Sequence, residues 1–196
     1  MKITAIKQQV KQAGRYSIFV EGKYEFSLSE AALLEHKLAN GQELDKQQLG
    51  EFKRISADDK LYNRTLRYVA MRLRSRWEVE FYLQRKDASP ALTETILNKL
   101  SNIGLIDDEK LAQAYVHDRR QLRPASRRKI ITELRKKRIP GNIIEAVVGA
   151  EAEDEQTALL AVIEQKRRQT KYQDDQKLMQ YLARQGFSYG DIKDAL

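Results

Sequence analysis

The chain has 196 residues and 22.8 kDa, enough for one or two domains with a buried core, and it carries a net charge of +8 with a pI near 9.5. This excess of Lys and Arg favours an acidic partner: nucleic acid, a nucleoprotein or an acidic protein surface. The sequence has no Cys, which excludes disulfide bonds, thiolate metal sites and a Cys nucleophile. It also has neither a membrane-spanning apolar run nor the apolar core of a signal peptide, so we expect a cytoplasmic protein.

The first 30 residues have the pattern of β-strands. Residues 15–20 (RYSIFV) and 23–28 (KYEFSL) are rich in aromatic and β-branched residues and flank a Gly-containing turn, which predicts a β-hairpin. The apolar residues of the second strand are Tyr24, Phe26 and Leu28. They lie on the same face of the hairpin as the apolar residues of the first strand only if the turn has three residues or a β-bulge interrupts the pairing. We favour one of these two arrangements.

Two further elements complete this N-terminal region. Residues 3–10 are predicted to add a third strand, because an isolated hairpin would be marginally stable. Ser29–Ala39 is predicted to be a helix that follows a Ser27–Glu30 capping box and ends at the Asn40-Gly41 signal.

From about residue 58 the sequence is helical and repeats itself. Leu83, Leu134 and Leu182 lie 51 and 48 residues apart, and each is followed by apolar residues at similar offsets. We therefore predict a mainly α protein in which three tandem three-helix repeats form an elongated, curved array after a small β-hairpin and helical region. The predicted domains are the N-terminal region 1–57 and the repeats 58–106, 107–150 and 151–196.

Capping signals agree with these repeats. Ser75 with Glu78, and Ser188 with Asp191, form predicted capping boxes before helices. The last predicted helix carries its apolar stripe to Leu196 without a C-cap, so we expect either an end that packs against a partner or a further helix.

Basic residues are concentrated in two segments. Residues 119–138 contain ten Lys or Arg against one Glu, a local charge of +9, and residues 60–86 have a local charge of +6. A solvated helix face normally mixes both signs, so we interpret these segments as surfaces for phosphate or for a carboxylate-rich groove; a solubilising surface is the alternative. The candidate binding residues are Arg72, Arg74, Arg76, Arg119, Arg120, Arg123, Arg127, Arg128, Lys129, Arg135 and Lys136.

Aromatic residues lie beside the first basic segment. Trp77, Phe81 and Tyr82 follow Arg74 and Arg76, an arrangement that allows stacking on nucleic-acid bases. Packing between helices is the favoured interpretation, because large aromatic side chains are usually buried.

Signals for catalysis are sparse. The two His residues are far apart, and no motif of a Ser or Cys nucleophile or of a nucleotide-binding loop occurs. Asp107, Asp108 and Glu109 could hold Mg²⁺ in a metal-dependent nuclease, but acidic residues at a helix start are better explained as capping groups. We therefore predict no enzymatic activity, no bound metal and no cofactor.

Three motifs occur in order along residues 58–196. Residues 70–78 read AMRLRSRWE, similar to an A-x-R-x-x-S-x-x-E opening; residues 104–112 read GLIDDEKLA; and residues 181–188 read YLARQGFS. Together these motifs, with Arg119 after the second, resemble the RecX family of regulators of the RecA recombinase. One departure is Arg138, where the family usually has Gly; Arg138 must then close its helix in the left-handed conformation at some cost. Another is Asp87-Ala88, where Gly-Phe is common.

The resemblance implies a function that composition cannot name. It implies a non-enzymatic, monomeric regulator that lies in the groove of the RecA–DNA filament, with RecA and single- or double-stranded DNA as partners. There it is expected to inhibit strand exchange and ATP hydrolysis or to promote filament disassembly, and so to act in DNA repair, the SOS response and homologous recombination. The alternative is a stand-alone DNA-binding protein, since three-helix units resemble helix-turn-helix modules.

Overall fold

The computed structural model describes residues 1–10, 12–150 and 155–196 and divides the chain into two compact units. Residues 1–71 with 90–92 form the N-terminal unit, and residues 72–89 with 93–196 form the repeat unit. The predicted mainly α class is confirmed, and no described helix is both long and apolar enough to cross a bilayer. The elements are β1 (Ile3–Gln8), β2 (Arg15–Val20), β3 (Lys23–Ser29), α1 (Glu30–Glu35), α2 (Lys46–Ala70), α3 (Arg76–Gln84), α4 (Pro90–Asn102), α5 (Asp108–Gln121), α6 (Arg127–Lys136), α7 (Gly141–Ala150), α8 (Glu155–Arg167), α9 (Asp175–Arg184) and α10 (Tyr189–Ala195).

Strands β1, β2 and β3 form an antiparallel sheet in that order, which confirms the predicted hairpin and third strand. The hairpin turn has two residues, Glu21 and Gly22, and both have positive φ. A β-bulge within β3 then shifts the register, so that Phe26 is buried while Tyr24 is exposed. The bulge is therefore the correct alternative, whereas the three-residue turn and the placement of Tyr24 on the core face are wrong.

The core of the N-terminal unit lies between one face of the sheet and helices α1 and α2. Phe26 of β3 stacks on Phe52 of α2 with ring centroids 5.9 Å apart. The aromatic stack and the surrounding aliphatic side chains give the small sheet the partner surface that it needs for stability. The fully packed members of this cluster are Ile3, Ile18, Val20, Phe26, Leu28, Ala32, Leu38 and Leu44.

Helix α1 is shorter than predicted. It ends at Glu35 rather than at Ala39, because Lys37 takes a φ of 48° that no α-helix accommodates. Its N-cap is Ser29, whose hydroxyl accepts an N–H of the first turn, and the predicted Ser27 capping box is wrong because Ser27 is buried beneath the sheet's polar network.

That polar network joins the sheet to α2. Arg15 donates from Nη1 to Asp59 Oδ2 at 2.9 Å, and from Nε and Nη2 to the hydroxyl and carbonyl oxygens of Ser27 at 3.0 and 2.9 Å. Asp59 also accepts the amide and hydroxyl of Ser29 at 2.9 and 2.6 Å. Both charges of the buried ion pair are hydrogen-bonded, so the network holds α2 in one register on the sheet.

Helix α2 is continuous over Lys46–Ala70 and opens with a capping box between Asp45 and Gln48. It therefore passes through residue 58, where the sequence placed the start of the first repeat, and all of it lies in the N-terminal unit. The predicted domain limits stay a prediction.

The repeating leucines mark the core of each repeat. Leu83, Leu134 and Leu182 are fully buried, as the periodicity predicts. In the third repeat Ile192 is buried, whereas Leu196, the last residue of the predicted apolar stripe, is 38 % exposed. The buried cluster of repeat two is Leu111, Ala112, Val116, Ala125, Ile130, Leu134, Ile139, Ile144, Val147 and Val148, and that of repeat three is Ala158, Leu159, Val162, Leu178, Leu182, Phe187 and Ile192.

The helix caps predicted at Ser75 and Ser188 are present. Ser75 and Glu78 form a reciprocal capping box at α3, and the Ser188 hydroxyl accepts the Asp191 N–H at 3.1 Å at the start of α10. These bonds satisfy N–H groups that have no partner within the helix itself.

Successive repeats share a recurring contact. Asp108, the first residue of α5, accepts the Arg76 N–H at the start of α3 at 2.8 Å. Glu155, the first residue of α8, accepts the Arg127 N–H at the start of α6 at 3.0 and 3.2 Å. At each joint an acidic residue of the following repeat therefore caps the second helix of the preceding one, and we call these two contacts the inter-repeat caps.

The joint between repeats two and three also requires a glycine. The Ser126 hydroxyl donates to the carbonyl oxygen of Gln185 at 2.9 Å, directly before Gly186. Gly186 has a φ of 90°, and a Cβ at this position would collide with the Ser126 hydroxyl. Arg138 occupies the corresponding place after α6 with a φ of 58°, which confirms the left-handed residue predicted there.

Candidate nucleoprotein-binding surface

Helix α6 separates apolar from basic side chains. Ile130 and Leu134 are buried in the core of repeat two, whereas Arg128, Arg135 and Lys136 on the opposite side are exposed. A helix of this length is held in place by its apolar side. Packing of α6 on its repeat therefore presents a row of cations to solvent.

Five of the candidate residues form the most exposed positive charge of repeat two. No ion pair is found for any of them within the described parts of the chain. The Glu155 carboxylate caps the Arg127 backbone N–H, but no described carboxylate pairs with the five side chains, and their charges add to a positive potential that attracts polyanions. We call Arg123, Arg127, Arg128, Arg135 and Lys136 the exposed repeat-two cations.

Arg119 and Arg120 are held inside the repeat. Arg119 forms a two-pronged ion pair with Glu133, with Nε and Nη2 donating at 2.8 and 2.6 Å, and Tyr115 donates its hydroxyl to the same carboxylate at 2.9 Å. Burial, together with this bond to Glu133, raises the pKa of Tyr115. Arg120 is only 8 % exposed. Sequence reasoning missed the anchor Glu133, although it is the single acidic residue among ten cations and was thus the obvious partner for one of them.

Lys129 links the second repeat to the third. Its Nζ donates to Gln185 Oε1 at 2.6 Å, and the side chain is half-buried. Burial lowers the pKa of Lys129, and the neighbouring Arg119 and Lys136 charges lower it further against the opposing effect of Glu133. Lys129 therefore connects repeats two and three through its bond to Gln185, in addition to carrying a positive charge.

The candidates of repeat one are mostly engaged with carboxylates. Arg72 pairs with Glu78 at 2.7 Å, and Arg76 bonds both oxygens of Glu94 at 2.9 Å. Arg74 is half-buried. Among the candidate residues, Arg72 and Arg76 of repeat one are thus paired with carboxylates, whereas the described structure has no ion pair for the five exposed repeat-two cations.

The aromatic group of repeat one is packed within itself. Trp77 stacks on Phe81 with centroids 5.4 Å apart, and the Arg138 guanidinium lies 5.9 Å from the Trp77 ring. Both rings stay partly exposed, at 40 % and 47 %. Trp77 and Phe81 therefore stack on each other along α3 and are not buried between helices, whereas the sequence favoured burial there.

The acidic residues between repeats act as caps. The Asp107 carboxylate accepts the Lys110 N–H at 2.9 Å at the start of α5, and Asp108 forms an inter-repeat cap. Burial raises the pKa of Asp108, although the bond from Arg76 opposes the rise. No group of acidic and histidine residues suited to a metal ion occurs in the described part of the chain. Residues 151–155 contain four acidic residues, of which only Glu155 lies within the described part of the chain.

A cavity of about 330 Å³ lies beside Arg123, where repeats two and three meet. Lys166 contributes a cation, with its Nζ 4.9 Å from the centroid of the Tyr181 ring. This cavity extends the positive surface from repeat two to repeat three. It is lined by Arg119, Leu122, Arg123, Pro124, Gln165, Lys166, Tyr181 and Gln185.

Family models match most of the chain. A model described as the regulatory protein RecX N-terminal domain matches residues 1–45. Models of the first, second and third three-helix domains of RecX match residues 62–100, 107–148 and 153–196.

Individual relatives are similar over nearly the whole length. The regulatory protein RecX of Bacillus subtilis (strain 168) is 30% identical over 99% of this chain and 75% of its own, and that of Limosilactobacillus reuteri (strain DSM 20016) is 32% identical over 98% and 76%. A crystal structure of regulatory protein RecX has a TM-score of 0.75 at 29% identity, covering 99% of this chain and 98% of the other.

Proposed function

Because the chain belongs to the RecX family of regulatory proteins, we propose that it binds the RecA–DNA filament and inhibits RecA-catalysed strand exchange and ATP hydrolysis. The matching models and relatives are named for a regulatory protein and not for an enzyme. The protein therefore acts by occupying a surface rather than by transforming a substrate.

The exposed repeat-two cations are the observation that carries this proposal. A nucleoprotein filament presents phosphates and acidic side chains in a continuous groove, and Arg bonds both groups with two parallel donors. Four of the five cations are Arg, and four of the five lie within the single helix α6. The helix fixes the spacing of their backbone attachment points, so only the side chains have to be ordered on binding to a filament surface.

ATP hydrolysis by RecA on single-stranded DNA tests the proposal. Titration with the protein is expected to reduce hydrolysis and strand exchange together. Unchanged hydrolysis and strand exchange over a wide range of concentrations would refute it.

A charge-reversal variant tests the surface itself. The triple substitution Arg128→Glu, Arg135→Glu and Lys136→Glu changes only exposed side chains and spares Lys129, which contacts Gln185. We expect inhibition to weaken at least about tenfold, because each reversed contact turns an attraction into a repulsion. The matched control reverses three exposed cations of repeat three: Lys177→Glu, Arg184→Glu and Lys193→Glu. Equal inhibition by both triples would reject the exposed repeat-two cations as the binding surface.

Binding to naked DNA separates the alternative function. A stand-alone DNA-binding protein would bind duplex DNA tightly without RecA, with an affinity that falls steeply as salt rises. Binding that appears only when RecA is present favours the filament. The same fluorescent duplex, with and without RecA, gives both measurements.

A further inference from the structure

A second basic site lies in the N-terminal unit. It is a cavity of about 520 Å³ between the β-hairpin and the second half of α2. None of the described lining residues carries a carboxylate; they are Gln9, Gln12, Ala13, Gly14, Arg15, Tyr24, Ser27, Ser29, Lys60, Asn63, Arg64, Leu66 and Arg67. A concave surface with several cations and no acidic side chain is suited to an anionic ligand.

Three of its cations form a row along α2. Lys60, Arg64 and Arg67 are spaced four and three residues apart, so they share one face of the helix over about 10 Å. No ion pair is found for them in the portion of the chain that the structure describes, and Arg67 makes only a bond from Nε to the Asn63 carbonyl at 3.3 Å. Their charges are therefore available to a ligand.

The nearest carboxylate on the helix is already occupied. Asp59 precedes Lys60 but accepts bonds from Arg15, Ser29 and Asn63, and it does not line the cavity. The charge of Arg15 is compensated by the same ion pair at 2.9 Å. The ion pair thus neutralises Asp59, the acidic residue next to Lys60.

An aromatic ring completes the site. Tyr24 lines the cavity, is 51 % exposed, and is supported by Phe19, whose ring meets it edge to face at 6.1 Å. The β-bulge in β3 turns Tyr24 away from the core. Single-stranded nucleic acids are bound by this combination, in which cations follow the phosphates and a base stacks on an exposed ring.

We propose that this cavity binds a short segment of single-stranded nucleic acid, with phosphates on Lys60, Arg64 and Arg67 and a base against Tyr24. About 10 Å of helix is long enough for consecutive phosphates of one strand, which repeat every ~3.4 Å along a duplex and farther apart when a strand is extended. The site uses residues separate from the exposed repeat-two cations, so it does not depend on the proposed filament surface.

Fluorescence anisotropy with a labelled single-stranded oligonucleotide and the full chain tests this site in the absence of RecA. The triple substitution Lys60→Gln, Arg64→Gln and Arg67→Gln is expected to weaken binding by at least about tenfold and to reduce the slope of log K against log salt by about 2, since each lost phosphate contact contributes ~0.7. The matched control Lys37→Gln, Lys46→Gln and Arg54→Gln removes three exposed cations of the same unit that do not line the cavity. Equal affinities for the two triples would overturn the site.

A second variant tests the assignment to single strands. Tyr24→Ala is expected to weaken single-strand binding by about tenfold while leaving binding to a duplex of the same length unchanged. Circular dichroism checks that the variant stays folded. An unchanged affinity for the single strand, or an equal loss for both forms, would overturn the stacking assignment. Because RecA is absent, failure of these experiments leaves the filament proposal untouched, and failure of the filament assay leaves this site untouched.

Discussion

Substitution of Gly186 by Ala would place a methyl group inside the joint between repeats two and three. Gly186 has a φ of 90°, and the space that a Cβ would take is filled by the Ser126 hydroxyl. That hydroxyl caps α6 and donates to the Gln185 carbonyl at 2.9 Å. The substitution therefore strains the backbone of one repeat and displaces the cap of its neighbour.

The structure allows the cost to be estimated. A residue with a Cβ in the left-handed region loses about 1–2 kcal/mol. Displacing Ser126 forfeits its hydrogen bond to Gln185, worth about 1 kcal/mol, and crowding in a packed joint adds about 1 kcal/mol or more. We expect Gly186→Ala to lower the free energy of unfolding of the repeat unit by about 3–4 kcal/mol.

Urea denaturation followed by far-ultraviolet circular dichroism measures this loss. A double-mutant cycle with Ser126→Gly separates its parts, because Gly keeps most of the N-cap stability while removing the hydroxyl that the methyl group meets. The double variant should be more stable than the sum of the single losses predicts, by about 1–2 kcal/mol. Additive losses, or a Gly186→Ala variant within about 0.5 kcal/mol of the wild type, would refute the proposed collision.

Two further predictions concern Arg138, which contacts Trp77 of repeat one, and Glu78 of repeat one. Arg138→Gly is expected to raise the free energy of unfolding by about 0.5 kcal/mol. Relief of the left-handed strain stabilises the fold by more than the variant loses through the greater entropy of its unfolded chain and the missing contact with Trp77. Urea denaturation measures the change, and a clear loss of stability would contradict the prediction. Glu78 should stabilise the fold only above acid pH: burial opposes ionisation, but bonds from Arg72 and Ser75 outweigh it and lower the pKa of Glu78 in the folded protein. The stability advantage of the wild type over Glu78→Gln is therefore fully present above a pH of about 4.3 and is lost as the pH falls through the lower folded pKa; an advantage that persists in strong acid would show that ionisation of Glu78 is not its source.

Local patterns predicted the repeats because their cause is local. Leu134 and Leu182 are buried because helix periodicity places them on the apolar side of a short helix, and the apolar side of an amphipathic helix packs against the core. Ser75 could be identified as an N-cap for the same reason, since its partner lies three residues away. The β-bulge was predictable only as one of two alternatives, because the apolar alternation shows that one residue is out of step without showing which.

Whether each cation is paired or exposed depends on contacts between residues that are distant in the sequence. Arg119 and Arg128 belong to the same basic segment, yet one is held by Glu133 across a helix pair while the other is exposed. Counting charge along the chain assigns them equal weight. The basic cavity was likewise invisible in the sequence, because Tyr24 and Arg64 are brought together only by the packing of α2 on the hairpin.

The inter-repeat caps allow the hydrogen exchange of two backbone amides to report whether the following repeat is closed or open. The N–H groups of Arg76 and Arg127 lie at helix starts, where they would otherwise exchange readily with solvent deuterium. Each is bonded instead to a carboxylate of the following repeat, Asp108 or Glu155. Opening of repeat three should therefore release the Arg127 amide before repeat two itself unfolds, and opening of repeat two should release that of Arg76. Hydrogen exchange at these two positions would reveal the order in which the repeats separate.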